Sequence, residues 1–136
     1  MKKLTYILII NVLISSCENK KCYIQDVYVN ELIDLNLQPE LTIEGSSIFV
    51  NGGVEGIIIY HGNGDNYKVY DRNCSYEPCL SCAQIDSVSS GIAYCSCCPS
   101  AFLISNTGES INSPALLPLK SYNWTLDANN ILRIFN

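Results

Sequence analysis

Six of the eight cysteines stand in two short, turn-rich segments, and this clustering constrains the fold more than any other feature of the chain. Cys74, Cys79 and Cys82 lie within residues 71–82, and Cys95, Cys97 and Cys98 within 94–100. Only cross-linking and metal binding gather sulfur in this way. A chain of 136 residues holds one domain and hardly two, so two such segments at the ends of short strands must face one another. Hydrophobic residues at 48% against 15% charged exclude intrinsic disorder. A formal charge of −5 argues against binding a phosphate backbone, which wants a basic stripe. With one histidine, little room is left for a His-built catalytic or metal site. The cysteine content, about 6%, points to an oxidising compartment or to a metal.

The N-terminus speaks for the compartment. Met1-Lys2-Lys3 precedes an apolar run over residues 4–14, broken by Asn11 and too short to span a bilayer as a helix. The run ends in Ile14-Ser15-Ser16-Cys17, which resembles a bacterial lipobox. The resemblance implies cleavage before Cys17, acylation of that residue, and a membrane-anchored lipoprotein. Loss of residues 1–16 removes two lysines and no acidic residue, so the formal charge moves from −5 to −7. Residues 17–24 are then a lipidated tether, and 25–136 the folded domain. Glu18 follows the cysteine where an Asp favours inner-membrane retention in some bacteria. The expectation is therefore the bacterial cell envelope, outer membrane ahead of inner, with the domain in the periplasm or at the cell surface.

The rest of the chain reads as β. Segments 23–35, 47–51, 56–60, 67–71, 91–95, 101–104, 122–126 and 131–135 are short, β-branched or aromatic, and strand-like. Turn clusters such as Gly52-Gly53, Gly62-Asn63-Gly64-Asp65-Asn66 and Asn106-Thr107-Gly108 separate them. No helix-length window after the signal holds a 3.6-residue period. One small all-β antiparallel domain, a sandwich or barrel, is predicted.

The spacing of the sulfurs permits a metal. Cys79 and Cys82, then Cys95 and Cys98, form two Cys-x2-Cys pairs with 12 residues between them, which approaches a zinc-ribbon arrangement. Four thiolates would close a structural zinc site and leave Cys74 and Cys97 over. Against it stands an oxidising compartment, which favours disulfides.

Taken together, the two loops resemble those of the Rieske iron–sulfur domain, from about Leu41 to Phe135. Cys74-Ser75-Tyr76-Glu77-Pro78-Cys79 reproduces the first loop's two cysteines, with Tyr76 in place of the ligating His. Cys95-Ser96-Cys97-Cys98-Pro99-Ser100-Ala101-Phe102 is similar to the second loop, with Cys98 at the His position and Pro99 at a Gly. Thr107-Gly108 and Ser113-Pro114-Ala115…Pro118-Leu119…Tyr122 match the family's later segments. The resemblance implies a Rieske-like sandwich with two cysteine-bearing loops. It also implies a Cys79–Cys97 bridge between the loops.

Both ligating histidines are replaced, so a conventional Rieske cluster lacks its ligands. The leading expectation is a degenerate Rieske-like lipoprotein without a cofactor, not an enzyme, acting as a binding or accessory module towards a protein partner. Cys74, Cys82, Cys95 and Cys98 are expected in further bridges, Cys74 with Cys95 or Cys98 and Cys82 with the remainder. Cys22 stays unassigned: a free thiol, an intermolecular link, or a partner of the loop cysteines. One alternative is electron transfer through a thiolate-ligated 2Fe-2S cluster on Cys74, Cys95 and Cys98, with Tyr76 or Cys82 completing it; the other is the zinc site. Thiol–disulfide exchange through either Cys-x2-Cys pair lacks a thioredoxin-like context. His61 is expected as an exposed turn residue, Trp124 as a strand aromatic, and Asp71-Arg72 as a loop-supporting ion pair.

Overall fold

The computed structural model describes residues 22–136, in ten strands and two short 3-10 turns. The signal segment and Cys17 lie outside the described residues. In chain order the first five strands are β1 (Asn30–Asp34), β2 (Ser47–Val50), β3 (Ile57–His61), β4 (Tyr67–Asp71) and β5 (Ile85–Ser89). There follow β6 (Ile92–Cys95), β7 (Ala101–Leu103), β8 (Glu109–Asn112), β9 (Asn123–Leu126) and β10 (Ile131–Phe135). They form three antiparallel sheets, ordered β1-β10-β9, β2-β3-β4 and β5-β6-β7-β8.

The sheet centred on β3 is the middle of the molecule. Every residue of β3 is buried, which suits the unbroken apolar run Ile57-Ile58-Ile59-Tyr60. Side chains alternate across a strand, so the run feeds two cores at once. Ile57 and Ile59 join Tyr67, Val69, Leu132 and Ile134 on the β1-β10-β9 side. Ile58 and Tyr60 join Tyr70, Ile85, Phe102 and Ile104 on the β5–β8 side. The pairing of Ile58 with Tyr70 and of Ile59 with Val69 fixes that register. Cys74, Ala83 and Ala93 belong to the second core, which therefore reaches into the cysteine loops.

Two strands were not legible in the sequence, and one segment is shorter than predicted. β5 presents Asp86, Ser87 and Ser89 to solvent on an outer strand, and β8 is largely polar, so neither carries an apolar alternation. Segment 23–35 pairs only from Asn30 onward, where β1 meets β10. His61 is buried at 8% exposure, not exposed: its ring stacks on Tyr67 with centroids 4.8 Å apart, and its Nε2–H donates to the Gly64 carbonyl at 2.6 Å. The Gly62–Gly64 turn folds back over the ring, which is why a histidine beside a glycine-rich turn is covered here. Trp124 lies in β9, edge-on to Tyr67.

Candidate metal centre

Loop 1 spans residues 72–84 between β4 and β5, and loop 2 spans 96–100 between β6 and β7. Backbone bonds bring them together. The Cys74 amide donates to the Ala83 carbonyl at 2.8 Å, closing loop 1 on itself, and the Ser96 amide donates to the Gln84 carbonyl at 3.0 Å. The Ser96 hydroxyl donates to the Cys82 carbonyl at 2.6 Å. Asn73, almost fully buried, donates from Nδ2 to the Pro78 carbonyl at 3.1 Å and braces the turn from within.

Asp71 anchors the entry to loop 1. Fully buried, its carboxylate accepts from the Val54 amide (2.6 Å), the Asn73 amide (2.7 Å) and the Tyr122 hydroxyl (2.6 Å). The expected Asp71–Arg72 ion pair does not form. A carboxylate already saturated by backbone N–H groups has no need of the guanidinium. Arg72 turns away, donating to the Ile85 carbonyl from Nε and Nη2 at 3.1 and 2.9 Å and lying over the Phe49 ring at 4.1 Å.

The disulfides differ from those the resemblance implied. Cys79 bonds Cys22, and Cys82 bonds Cys97; the Cys79–Cys97 bridge is corrected. The physical reason lies in which strand of loop 1 passes loop 2. Gln84 and Cys82 are the residues hydrogen-bonded to Ser96, so Cys82 is carried to Cys97, while Cys79 sits exposed on the outer turn where the incoming N-terminal segment reaches it. Of the options for Cys22, partnership with a loop cysteine is the one realised. Two of the four sulfurs of the zinc-ribbon-like arrangement, Cys79 and Cys82, are engaged in these disulfides.

The remaining thiols are free. Cys74, Cys95 and Cys98 form no disulfide, in contrast to the further bridges expected for them, yet their sulfurs all lie within 4.8 Å of one another. Cys74 is buried, and Cys95 and Cys98 are half-buried. The Cys74 and Cys98 sulfurs stand 3.9 Å apart, and Cys98 Sγ is 3.1 Å from the Ser100 hydroxyl. Ser100, itself buried, also accepts the Ala115 amide at 3.0 Å, tying loop 2 to segment 113–122. Ser75 makes the matching tie from loop 1, its hydroxyl donating to the Leu117 carbonyl at 2.6 Å. Tyr76 packs half-buried against the same core. Ser100 was not singled out in the sequence; a hydroxyl two residues after a candidate ligand was the available signal.

The three thiols differ in acidity. Burial pushes the Cys74 thiol well up, and a hydrogen bond with Cys95 adds to this against the pull of the Tyr76 amide. Burial acts the same way on Cys98, but the hydroxyl and amide of Ser100, then Cys95 and Cys74, outweigh it and bring Cys98 below an ordinary thiol. Between these two, proton loss is easier at Cys98 and resisted at Cys74.

Four ligands with two imidazoles among them define a Rieske centre. The described residues bring three sulfurs to this position and no histidine, since His61 is held in the glycine turn. The conventional centre does not fit. Cys82, the fourth sulfur that an all-thiolate two-iron cluster would recruit, is bonded to Cys97.

No protein-family model matches the chain, and neither does any curated protein. Solved structures do. The ferredoxin of carbazole 1,9a-dioxygenase from Nocardioides aromaticivorans IC177 is 16% identical over 80% of this chain and 97% of its own, with a TM-score of 0.53. The complex of reduced oxygenase and oxidized ferredoxin in carbazole 1,9a-dioxygenase matches at 16% identity, 81% and 94% coverage and a TM-score of 0.51. A Sphingomonas yanoikuyae B1 ferredoxin matches at 16%, covering 71% of this chain and 93% of its own, with a TM-score of 0.50. Identity at this level speaks to architecture alone. The fold of this chain is the all-β, Rieske-like one, with two cysteine-bearing loops.

Proposed function

We propose that this chain is a lipid-anchored domain of the bacterial envelope that has given up the conventional Rieske cluster and binds one thiophilic metal ion through Cys74, Cys95 and Cys98. The observation that carries the reading is the convergence of three unpaired sulfurs within 4.8 Å, beside four neighbouring cysteines that are paired. At a metal–sulfur distance of about 2.3 Å, three sulfurs around one ion stand about 4 Å apart, so a small contraction closes the site. An odd number of thiols cannot all pair, and in an oxidising compartment a bound ion is what protects such a set. Soft thiolate ligands select copper(I) or zinc over harder ions.

The residues divide the work. Cys74 supplies a sulfur from the core, Cys98 a sulfur steadied by Ser100, and Cys95 the third from the end of β6. The Cys82–Cys97 bridge holds the loops at fixed separation on one side of the site. Asp71 and Asn73 fix the start of loop 1. Tyr76 fills the space beside the sulfurs where the family places an imidazole. The site binds and holds; the reading assigns it no catalytic step.

Titration of full-length protein purified without oxygen, stripped of metal by chelator with its two disulfides intact, with zinc or copper(I) tests the reading. The expected result is a one-to-one thiolate-to-metal charge-transfer band that C74S and C98S abolish. Competing with this is electron transfer through a thiolate-ligated 2Fe-2S cluster, suggested by the ferredoxin fold. That reading expects visible absorption and near-equal iron and labile sulfide in protein isolated without oxygen, and such a finding would overturn the single-ion site.

A further inference from the structure

The loop 1 tip carries an unusual surface. Leu116 is 92% exposed, Leu117 56%, Leu80 48% and Tyr23 63%. Leu116 adjoins Leu117 in the chain, and Tyr23, Leu117 and Leu80 border two grooves that share Cys22. Cys22, Tyr23, Ile24, Leu117, Pro118 and Leu119 line one groove of about 510 Å³. Cys22 also borders a second, with Tyr76, Cys79 and Leu80. The Cys22–Cys79 bridge is therefore the hub of an apolar face made by loop 1, segment 113–122 and the N-terminal segment. Glu77 is the exposed charge within it, and the Lys120–Asp26 pair, 2.8 Å apart, lies at its edge.

The position of Cys17 says what covers this face. Four residues separate it from Cys22, a reach of about 18 Å at full extension over the five Cα steps. Without the disulfide the tether would run on to Gln25, whose carbonyl accepts from the Lys120 ammonium at 3.1 Å, and the leash would lengthen by more than half. With Cys22 bonded to Cys79, the leash ends at the tip of loop 1. The lipid surface thus lies within a few residues of the exposed leucines. Lys20 and Lys21, on the tether itself, add attraction to anionic headgroups.

We infer that the face formed by Tyr23, Leu80, Leu116 and Leu117 rests on the lipid surface, held there by the Cys22–Cys79 bridge. The inference rests on Cys17 acylation, as proposed above. Leucines and a tyrosine at the interface bury apolar surface that is otherwise wasted in water, and a membrane is the occupant that the short tether brings to them.

The chain has a single tryptophan, Trp124, in β9 against Tyr67, away from the loops, and it serves as an internal control. Full-length lipidated protein is returned to vesicles of phosphatidylethanolamine and phosphatidylglycerol with brominated acyl chains. In L117W/W124F the tryptophan is expected to shift to shorter wavelength and lose emission, whereas wild-type Trp124 does neither. L117W in the wild-type background gives the same answer by difference if W124F does not fold. Opening the bridge with C22S/C79S is expected to lower the quenching of the reporter. An unquenched reporter on protein that still floats with the vesicles overturns the face and leaves the anchor standing. Protein that does not float, with an unacylated Cys17 by mass spectrometry, removes the anchor reading and this inference with it. Quenching unchanged by C22S/C79S overturns the role of the bridge.

Discussion

Single residues decide the site through the groups they satisfy. Asp71 is the clearest case: a buried carboxylate with three backbone or side-chain donors at 2.6–2.7 Å. D71A strands those donors, and denaturant titration is expected to show a loss of at least about 3 kcal/mol, whereas Y122F costs about 1–2 kcal/mol because it removes one bond of the set. Gly53 makes the carboxylate's position possible. Its φ is +62°, and a Cβ there would lie 2.4 Å from Asp71 Oδ2 and 2.9 Å from the Tyr122 hydroxyl oxygen. Ser100 bears on both the thiol trio and the fold. S100A is expected to weaken binding of zinc or copper(I) by about 10–100-fold in competition titrations, and to cost about 1–3 kcal/mol in denaturant titration because the buried Ala115 amide loses its acceptor.

Strands and loops were legible where burial writes a pattern. Ile57-Ile58-Ile59-Tyr60 announces a strand buried on both faces, and the two cysteine segments announce two facing loops. β5 and β8 escape because polar outward residues leave no alternation to read. The sulfur pairing escaped for a different reason. Adjacent cysteines at 97 and 98 look equivalent in sequence, and only the Ser96–Gln84 and Ser96–Cys82 contacts decide that Cys97 meets Cys82 while Cys98 turns inward to Cys74. Cys74, Cys95 and Cys98 were named with Tyr76 as candidate ligands from the residues, although bridging was expected to consume the thiols; the structure leaves those three unbonded and close together. Cross-linking a separation of 15 residues is worth about 3 kcal/mol by the loop-entropy relation, so C82S/C97S is expected to lose about that much in chemical denaturation. The same double variant should bind metal more weakly, since the loops then lose their fixed spacing.

The described residues form three sheets around β3, with Cys74, Cys95 and Cys98 at one end of one core. Alkali probes that packing. Burial, with the Glu109 charge behind it, pushes Tyr70 up to about 12, and burial together with the Asp71 bond and charge raises Tyr122 further. Each group is raised above its unfolded value near 10, so its stabilising contribution is complete below that pH and is lost as pH climbs through the folded value. Stability is thus expected to fall from about pH 10 to about pH 12 through Tyr70, read as unfolding that accompanies phenolate absorbance, and Y70F should reduce the slope. The proposed function rests on three sulfurs. Native mass spectrometry of full-length protein purified without oxygen, with thiols counted by alkylation, addresses them directly. Two disulfides, Cys22–Cys79 and Cys82–Cys97, with Cys74, Cys95 and Cys98 protected by one zinc or copper ion per chain is the expected result. A third disulfide drawn from that trio with no ion bound, or two irons with two sulfides, would contradict it.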